Sequence, residues 1–323
     1  MKLQLQLLTA AIALGAIISS PVLRAGPAGY SKEVIQITEV DPWADTIRPI
    51  TNPTMFDLPL PRSYIHGIFI YNEMPSTVST VLGNVPLGGH YEVYAVGFEL
   101  ALSERWSINA TKDGYIMFRP DNTLNTTEGW ANVAAGLKYA WLIDVEKELA
   151  SSFSLNFEIP MGSTEVWQGE GDGVFIPSMA TLKNIGDLQL VNQFGFRLPV
   201  DTDAESTMFY TSGHVSYKLT EWLHPLAEIN YFRVIDEGDG GNRFGEQIGG
   251  ALPSLPTFEA GDLVNWGAGN ADINPNFVTA ALGFRVLVPN APATVGFAWE
   301  APLTNRSEGL MENRFTIDFT LEF

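Results

Sequence analysis

The last ten residues of the chain, RFTIDFTLEF, alternate in polarity without a break. Extended, they put Phe315, Ile317, Phe319, Leu321 and Phe323 on one face and Arg314, Thr316, Asp318, Thr320 and Glu322 on the other. In water the apolar face needs a second layer of protein. In a bilayer, lipid covers it and the polar face lines a lumen. The period recurs upstream. In 150–160, Phe153, Leu155, Phe157 and Ile159 oppose Ser152, Ser154, Asn156 and Glu158, and in 275–288 Val278, Ala280, Leu282, Phe284 and Val286 oppose Thr279, Gly283 and Arg285. Segments 106–113, 129–142 and 293–300 read the same way. Hydrophobic residues make up 46% of the chain, yet beyond the N-terminus no apolar run approaches the roughly 20 residues of a spanning helix. The fold class expected is all-β, a transmembrane antiparallel β-barrel of about 12 strands.

The N-terminus reads as a signal peptide over residues 1–25. Lys2 supplies its positive region and Leu7 to Ile18 its apolar core, which is short for a span, and small residues stand near the cleavage point. Residues 26–62 hold Pro42, Pro49, Pro53, Pro59 and Pro61. They read as a periplasmic or plug-like lead-in rather than a strand. The barrel is expected over 63–323.

Parity orders the rest. If both ends of the barrel chain face the periplasm, turns alternate short inside and longer outside. The first strand falls near 63–71, followed by an outer loop at 72–89 whose STVSTVLG suits a short inward helix. Inner turns fall at 103–105, 143–149, 184–187, 220–222 and 289–292. Outer loops fall at 120–128, 200–205, 236–274 and 302–313, and 163–185 has to hide one more strand. The count closes at twelve only if 174–183, with Pro177 inside it, is a strand. Phe323 then ends the twelfth strand, beside the first.

The net charge is −19 and there is no cysteine. A nucleic-acid partner, thiolate metal sites and a cysteine nucleophile are excluded. Loop 236–274 holds Asp236, Glu237, Asp239, Glu246, Glu259, Asp262 and Asp272 against Arg243 alone, so much of the negative charge is expected outside the barrel. Its start, DEGDGGN, has the composition of a calcium loop but not the EF-hand spacing. No metal or cofactor is implied.

The inward positions mix charges. Asp113, Glu158, Glu228, Glu300 and Asp318, with Glu99 and Glu322, face Lys138, Arg197, Lys218, Arg285 and Arg314, and His214 joins them. Such a set either satisfies itself across a narrow lumen or lines a selective solute path. His214, Ser216 and Asn230 invite comparison with outer-membrane phospholipase A. His214 and Ser216 share a polar strand face with Tyr210, Ser212 and Lys218, whereas a phospholipid-cleaving site should face lipid, and the spacing to Asn230 and the surrounding motif are not that family's. No catalytic residue is assigned.

Several stretches then carry a resemblance. TNPTMFDLPLPRSYIHGIFIY, GGHYEVYAVGFELALSERWSINATKDGYIMF, GWANVAAGLKYAW and YTSGHVSYKLTEWLHPLAEINY resemble the outer-membrane transporter family named for the meta-pathway of phenol degradation. The resemblance runs from about Asn52 to the C-terminus. It implies a barrel that passes small hydrophobic or aromatic molecules, and no particular solute. The expected partners are outer-membrane lipids and lipopolysaccharide, a small-molecule solute, and the assembly machinery that reads a C-terminal aromatic strand such as the one ending at Phe323. The function expected is passive passage through the lumen. The alternatives are a closed structural or binding barrel with acidic loops, and a barrel lipid hydrolase.

Overall fold

Alternating β-branched and aromatic residues form long strands whose backbone groups are satisfied only between neighbours. The structure, a computed structural model, describes residues 43–239 and 255–323. The expected signal peptide and residues 26–42 of the lead-in lie outside the described residues.

The strands are β1 (Tyr64–Glu73), β2 (Thr77–Thr80), β3 (Gly83–Pro86), β4 (Gly89–Ala101), β5 (Trp106–Lys112), β6 (Tyr115–Pro120), β7 (Thr127–Trp130), β8 (Val133–Asp144), β9 (Leu149–Ile159), β10 (Val174–Ile185), β11 (Leu188–Pro199), β12 (Thr207–Tyr217), β13 (Leu223–Asp236), β14 (Asn276–Leu287), β15 (Ala293–Pro302) and β16 (Asn313–Glu322). All pairings are antiparallel. β1 pairs with β16, Tyr64 opposite Glu322, and also with β4, Tyr64 opposite Glu99, which closes the sheet. β4 pairs with β6 in one half and β5 in the other, so β5 and β6 are one wall strand broken at Asp113–Gly114. β7 and β8 lie opposite them as another, broken at Ala131–Asn132. Counted this way the barrel has twelve wall strands. β10 is the strand that parity required, with Pro177 within it.

Between β10 and β11 the turn is Gly186–Asp187, Ile185 opposite Leu188, with Gly186 at φ +60°. Glycine suits a two-residue hairpin there because a Cβ opposes positive φ. Loop 72–89 does not form the expected helix. Ser79 and Thr80 pair with Asn84 and Gly83 in a β2–β3 hairpin, as a β-branched TVST run favours.

The outer face is apolar. Phe153, Leu155, Phe194, Ile229, Leu282, Ile317 and Phe319 are exposed, and rings meet across strands, as Phe157 meets Phe175 at 4.8 Å. No helix among the described residues is long and apolar enough to cross a membrane. The inner face carries the polar set, and the lumen is full.

Candidate functional site

Residues 43–62 fill the lumen as a bent plug. The chain enters at the short-turn end, where Asp45 meets Lys218 at 2.9 Å. It climbs to an apex at Asn52–Phe56, where the amides of Met55 and Phe56 donate to the carbonyl of Asn52, itself at φ 51°. It then returns to the same end, where Arg62 bridges Glu322 at 3.0 Å. Arg48 joins the two arms through Asp57 at 3.0 Å and lies 3.9 Å over the Tyr64 ring. Trp43, Ile47, Ile50, Phe56, Leu58 and Leu60 are buried, so the plug has an apolar body as well as polar contacts.

Glu228 holds the ascending arm. Its carboxylate accepts from the amides of Ile50 (2.9 Å) and Thr51 (2.7 Å) and from the Thr51 hydroxyl (2.5 Å), and meets His214 Nδ1 at 2.7 Å. Ser212 accepts from Asn52, and Asn230 donates to Thr51 Oγ1 and to Glu300. Below, Asp318 meets His66 at 2.8 Å and Arg285 at 2.6 Å, while Arg285 donates to the plug carbonyls of Arg48 and Pro49. On the far wall Lys138 sits between Asp57 and Glu99, 2.8 Å from each. Asp318 is paired with Arg285, and Lys138 with Asp57 and Glu99, while Glu228 is held by hydrogen-bond donors, which is what burial requires.

A second block closes the other end. Glu158 receives Lys112 at 2.5 Å, Asn132 at 2.8 Å and Arg197 at 3.0 Å, and Arg197 continues to Glu205 at 3.1 Å. The described part of the long loop folds inward over this layer. Asp262 pairs with Arg314 at 2.8 Å, and Asn265 donates to Glu205 at 3.2 Å. Glu259 accepts from Ser206 and from the amides of Trp266 and Ala268. Burial raises the Glu259 carboxyl, against those donors, and pushes Glu205 up to about 7, with Arg197 opposing. Phe258, Leu263, Val264 and Trp266 join Tyr91, Phe118 and Trp167 in an apolar cluster beneath the lid. At the apex the lid meets the plug, where Met55 packs with Ala268 and Ala271.

Of the inward candidates, Lys138, Glu158, Arg197, His214, Glu228, Arg285, Glu300, Arg314 and Asp318 are buried inside the barrel. Two candidates lie elsewhere. Asp113 is not in the lumen, because a bulge between Ala110 and Lys112 shifts the phase, so Lys112 turns inward and Asp113 accepts from the Val96 amide. Lys218 lies past the end of β12 and pairs with Asp45 and Glu221 at the rim. The acidic loop is also corrected in part. Glu259 and Asp262 are buried inside rather than displayed outside, while Arg243 and Glu246 fall outside the described residues. Sequence reading missed the plug contacts Arg48, Thr51 and Asp57. The signal available was the apolar series Trp43, Ile47, Ile50, Phe56, Leu58 and Leu60, too greasy for a solvated leader.

No protein-family model matches this chain, and no curated protein matches its sequence. Solved structures do. An outer membrane channel from Pseudomonas putida F1 is similar with a TM-score of 0.56 at 9% identity, over 81% of this chain and 96% of that one. The KdgM porin aligns over 80% of this chain and 99% of its own, with a TM-score of 0.44 and 9% identity. At these identities the likeness to the channel shows the fold alone, a closed outer-membrane-type barrel.

Proposed function

We propose that this protein is an outer-membrane channel that passes small solutes passively through the lumen, closed in this state by the plug and the inward lid. What carries the reading is how the plug is held. Its contacts with Glu228, Gln189, Arg285 and Lys138 are hydrogen bonds and ion pairs, which water can replace when the plug moves. Both plug ends lie at the short-turn end, so the plug can leave without opening the wall. The apolar band sets the barrel in the bilayer, with the short turns on the periplasmic side and lipid and lipopolysaccharide around it. Phe323, ending beside β1, is the element offered to the assembly machinery. The aromatic cluster under the lid and the family resemblance together favour hydrophobic or aromatic solutes.

Planar bilayers test the proposal. The purified chain should show discrete conductance steps, and a chain lacking residues 43–58 should show larger and longer ones. No conductance from either would sink it. A second reading, a permanently closed structural or binding barrel, is favoured by the seven buried apolar side chains of the plug, from Trp43 to Leu60. Under that reading removing the plug destabilises the barrel, and the intact chain never conducts.

A further inference from the structure

The plug does not meet the barrel evenly. Its ascending arm is bonded along one side, to Gln189, Ser212, Glu228, Asn230 and Arg285. The other side is held mainly by apolar packing, with Phe56, Leu58 and Leu60 clustered with Ala150, Leu182 and Val191 and Met55 with Val174 and Ile176, besides Asp57 on Lys138 and Gln193. Between the apex, Pro53–Leu58, and β1, β4, β5, β8, β9 and β10 lies an enclosed cavity of about 20 Å³. That is room for about one water. It reaches Gln193 and Tyr210, but no residue of β13, β14, β15 or β16 lines it.

Two observations give this seam a chemistry. The buried inward side chains of its wall include the small Ser107, Ala134, Ala140, Ser152 and Ala180 with Asn109 and Asn156, beside the paired Lys112, Lys138 and Glu158. Independently, Asn109 Oδ1 and Asn156 Oδ1 have no partner, although the residues are only 2% and 6% exposed. Both asparagines line the cavity. A buried acceptor left unpaired is costly, so the two oxygens mark a place suited to a donor. The nearby charges cancel, with Arg48 and Lys138 paired to Asp57 and Glu99.

From this asymmetry we infer that the solute path runs through the seam between the plug apex and the β5, β8, β9 and β10 wall, and that it accepts small solutes that donate hydrogen bonds and carry no negative charge. Hydroxylated or aminated molecules, aromatic or not, are the class. The inference rests on the channel reading. It adds a side and a chemistry. The plug's charged link to this wall is Asp57 to Lys138, so a tilt of the apex about the bonded arm widens the seam first. The aromatic cluster under the lid lies at its long-loop end, and Leu58 and Leu60 close its lower end.

The chain has no cysteine, so introduced thiols report on the path directly. N109C and N156C sit on the seam. S212C and T279C sit behind the bonded arm. S152C, nearly isosteric and on the seam wall, carries the test if the asparagine variants misfold. Full-length protein in liposomes is treated with the ethylammonium methanethiosulfonate reagent, and labelling is followed by mass spectrometry alongside conductance. Seam thiols should react at least tenfold faster, and their labelling should cut conductance several-fold. Equal or faster labelling of S212C and T279C overturns the inference. If the unmodified chain never conducts, the channel reading fails, while the labelling order still decides which side of the plug admits solvent. Liposome swelling tests the class. Erythritol should enter and be slowed by the label, and lactate entering as fast as erythritol overturns the assignment.

Discussion

Glu228→Gln gives the clearest test of how the plug is held. The wild-type carboxylate takes three hydrogen bonds from the plug, at 2.9, 2.7 and 2.5 Å, and one from His214. The amide keeps the shape and one acceptor, which can still serve Ile50 and His214. Its nitrogen, however, turns a donor toward the Thr51 amide, which also donates. A hydrogen bond to a charged group is worth about 1.5–3 kcal/mol and a neutral one about 1, and a mismatched buried donor costs about 1–3 more. Plug binding should therefore weaken by about 2–4 kcal/mol. At tenfold per 1.4 kcal/mol, the plug-out population rises roughly 30- to 700-fold. The apolar plug side chains stay in place, so release is partial rather than complete. The assay is open probability in planar bilayers, with chymotrypsin cleavage after Phe56, buried at the plug apex, as an independent reading of plug exposure. The reasoning fails if cleavage and open probability both stay at wild-type levels while the barrel remains folded. It fails differently if cleavage rises without conductance, because the plug would then be loosened without being the gate.

Three further outcomes follow from the same geometry. Lys138→Met leaves Asp57 and Glu99 facing each other without their shared cation, which should cost about 3–5 kcal/mol in urea unfolding, and adding Asp57→Asn should recover part of it. Gly186→Val places a β-branched residue at φ +60° and should cost about 1–2 kcal/mol, while Gly186→Asn should be nearly neutral, as thermal melts will show. Glu205 gives a pH dependence: its folded value of about 7 lies above the ordinary 4.5, so the folded lid holds more protons than the released one. Lid closure is then strongest in acid, weakens as pH rises from about 4.5 to about 7 and is flat above, and conductance against pH should lose that slope in Glu205→Gln.

The barrel was legible because lipid enforces a period. Where both faces of a strand meet different solvents, Phe315 to Phe323 and Phe153 to Ile159 cannot hide their alternation, and parity then located β10 despite Pro177. The lumen was less legible, because inside a filled barrel the partner of each side chain comes from a distant part of the chain. Glu228 has a readable inward phase, but nothing near it in sequence announces Thr51. Asp113 was misplaced for a local reason, since one extra residue at the Ala110–Lys112 bulge reverses the phase. The lid was misjudged because composition suggests solvation, and Glu259 and Asp262 look like surface acids until Trp266 and Arg314 are seen to hold them.

The bent course of residues 43–62 also sets a kinetic expectation. The plug continues directly into β1, so a displaced plug remains tethered to the mouth it has left. Its local concentration there is of the millimolar order that short linkers give, whatever the amount of protein in the membrane. Re-entry is then intramolecular. Closures should be fast and independent of protein density, and a free peptide of the same sequence should compete poorly unless the tether is cut.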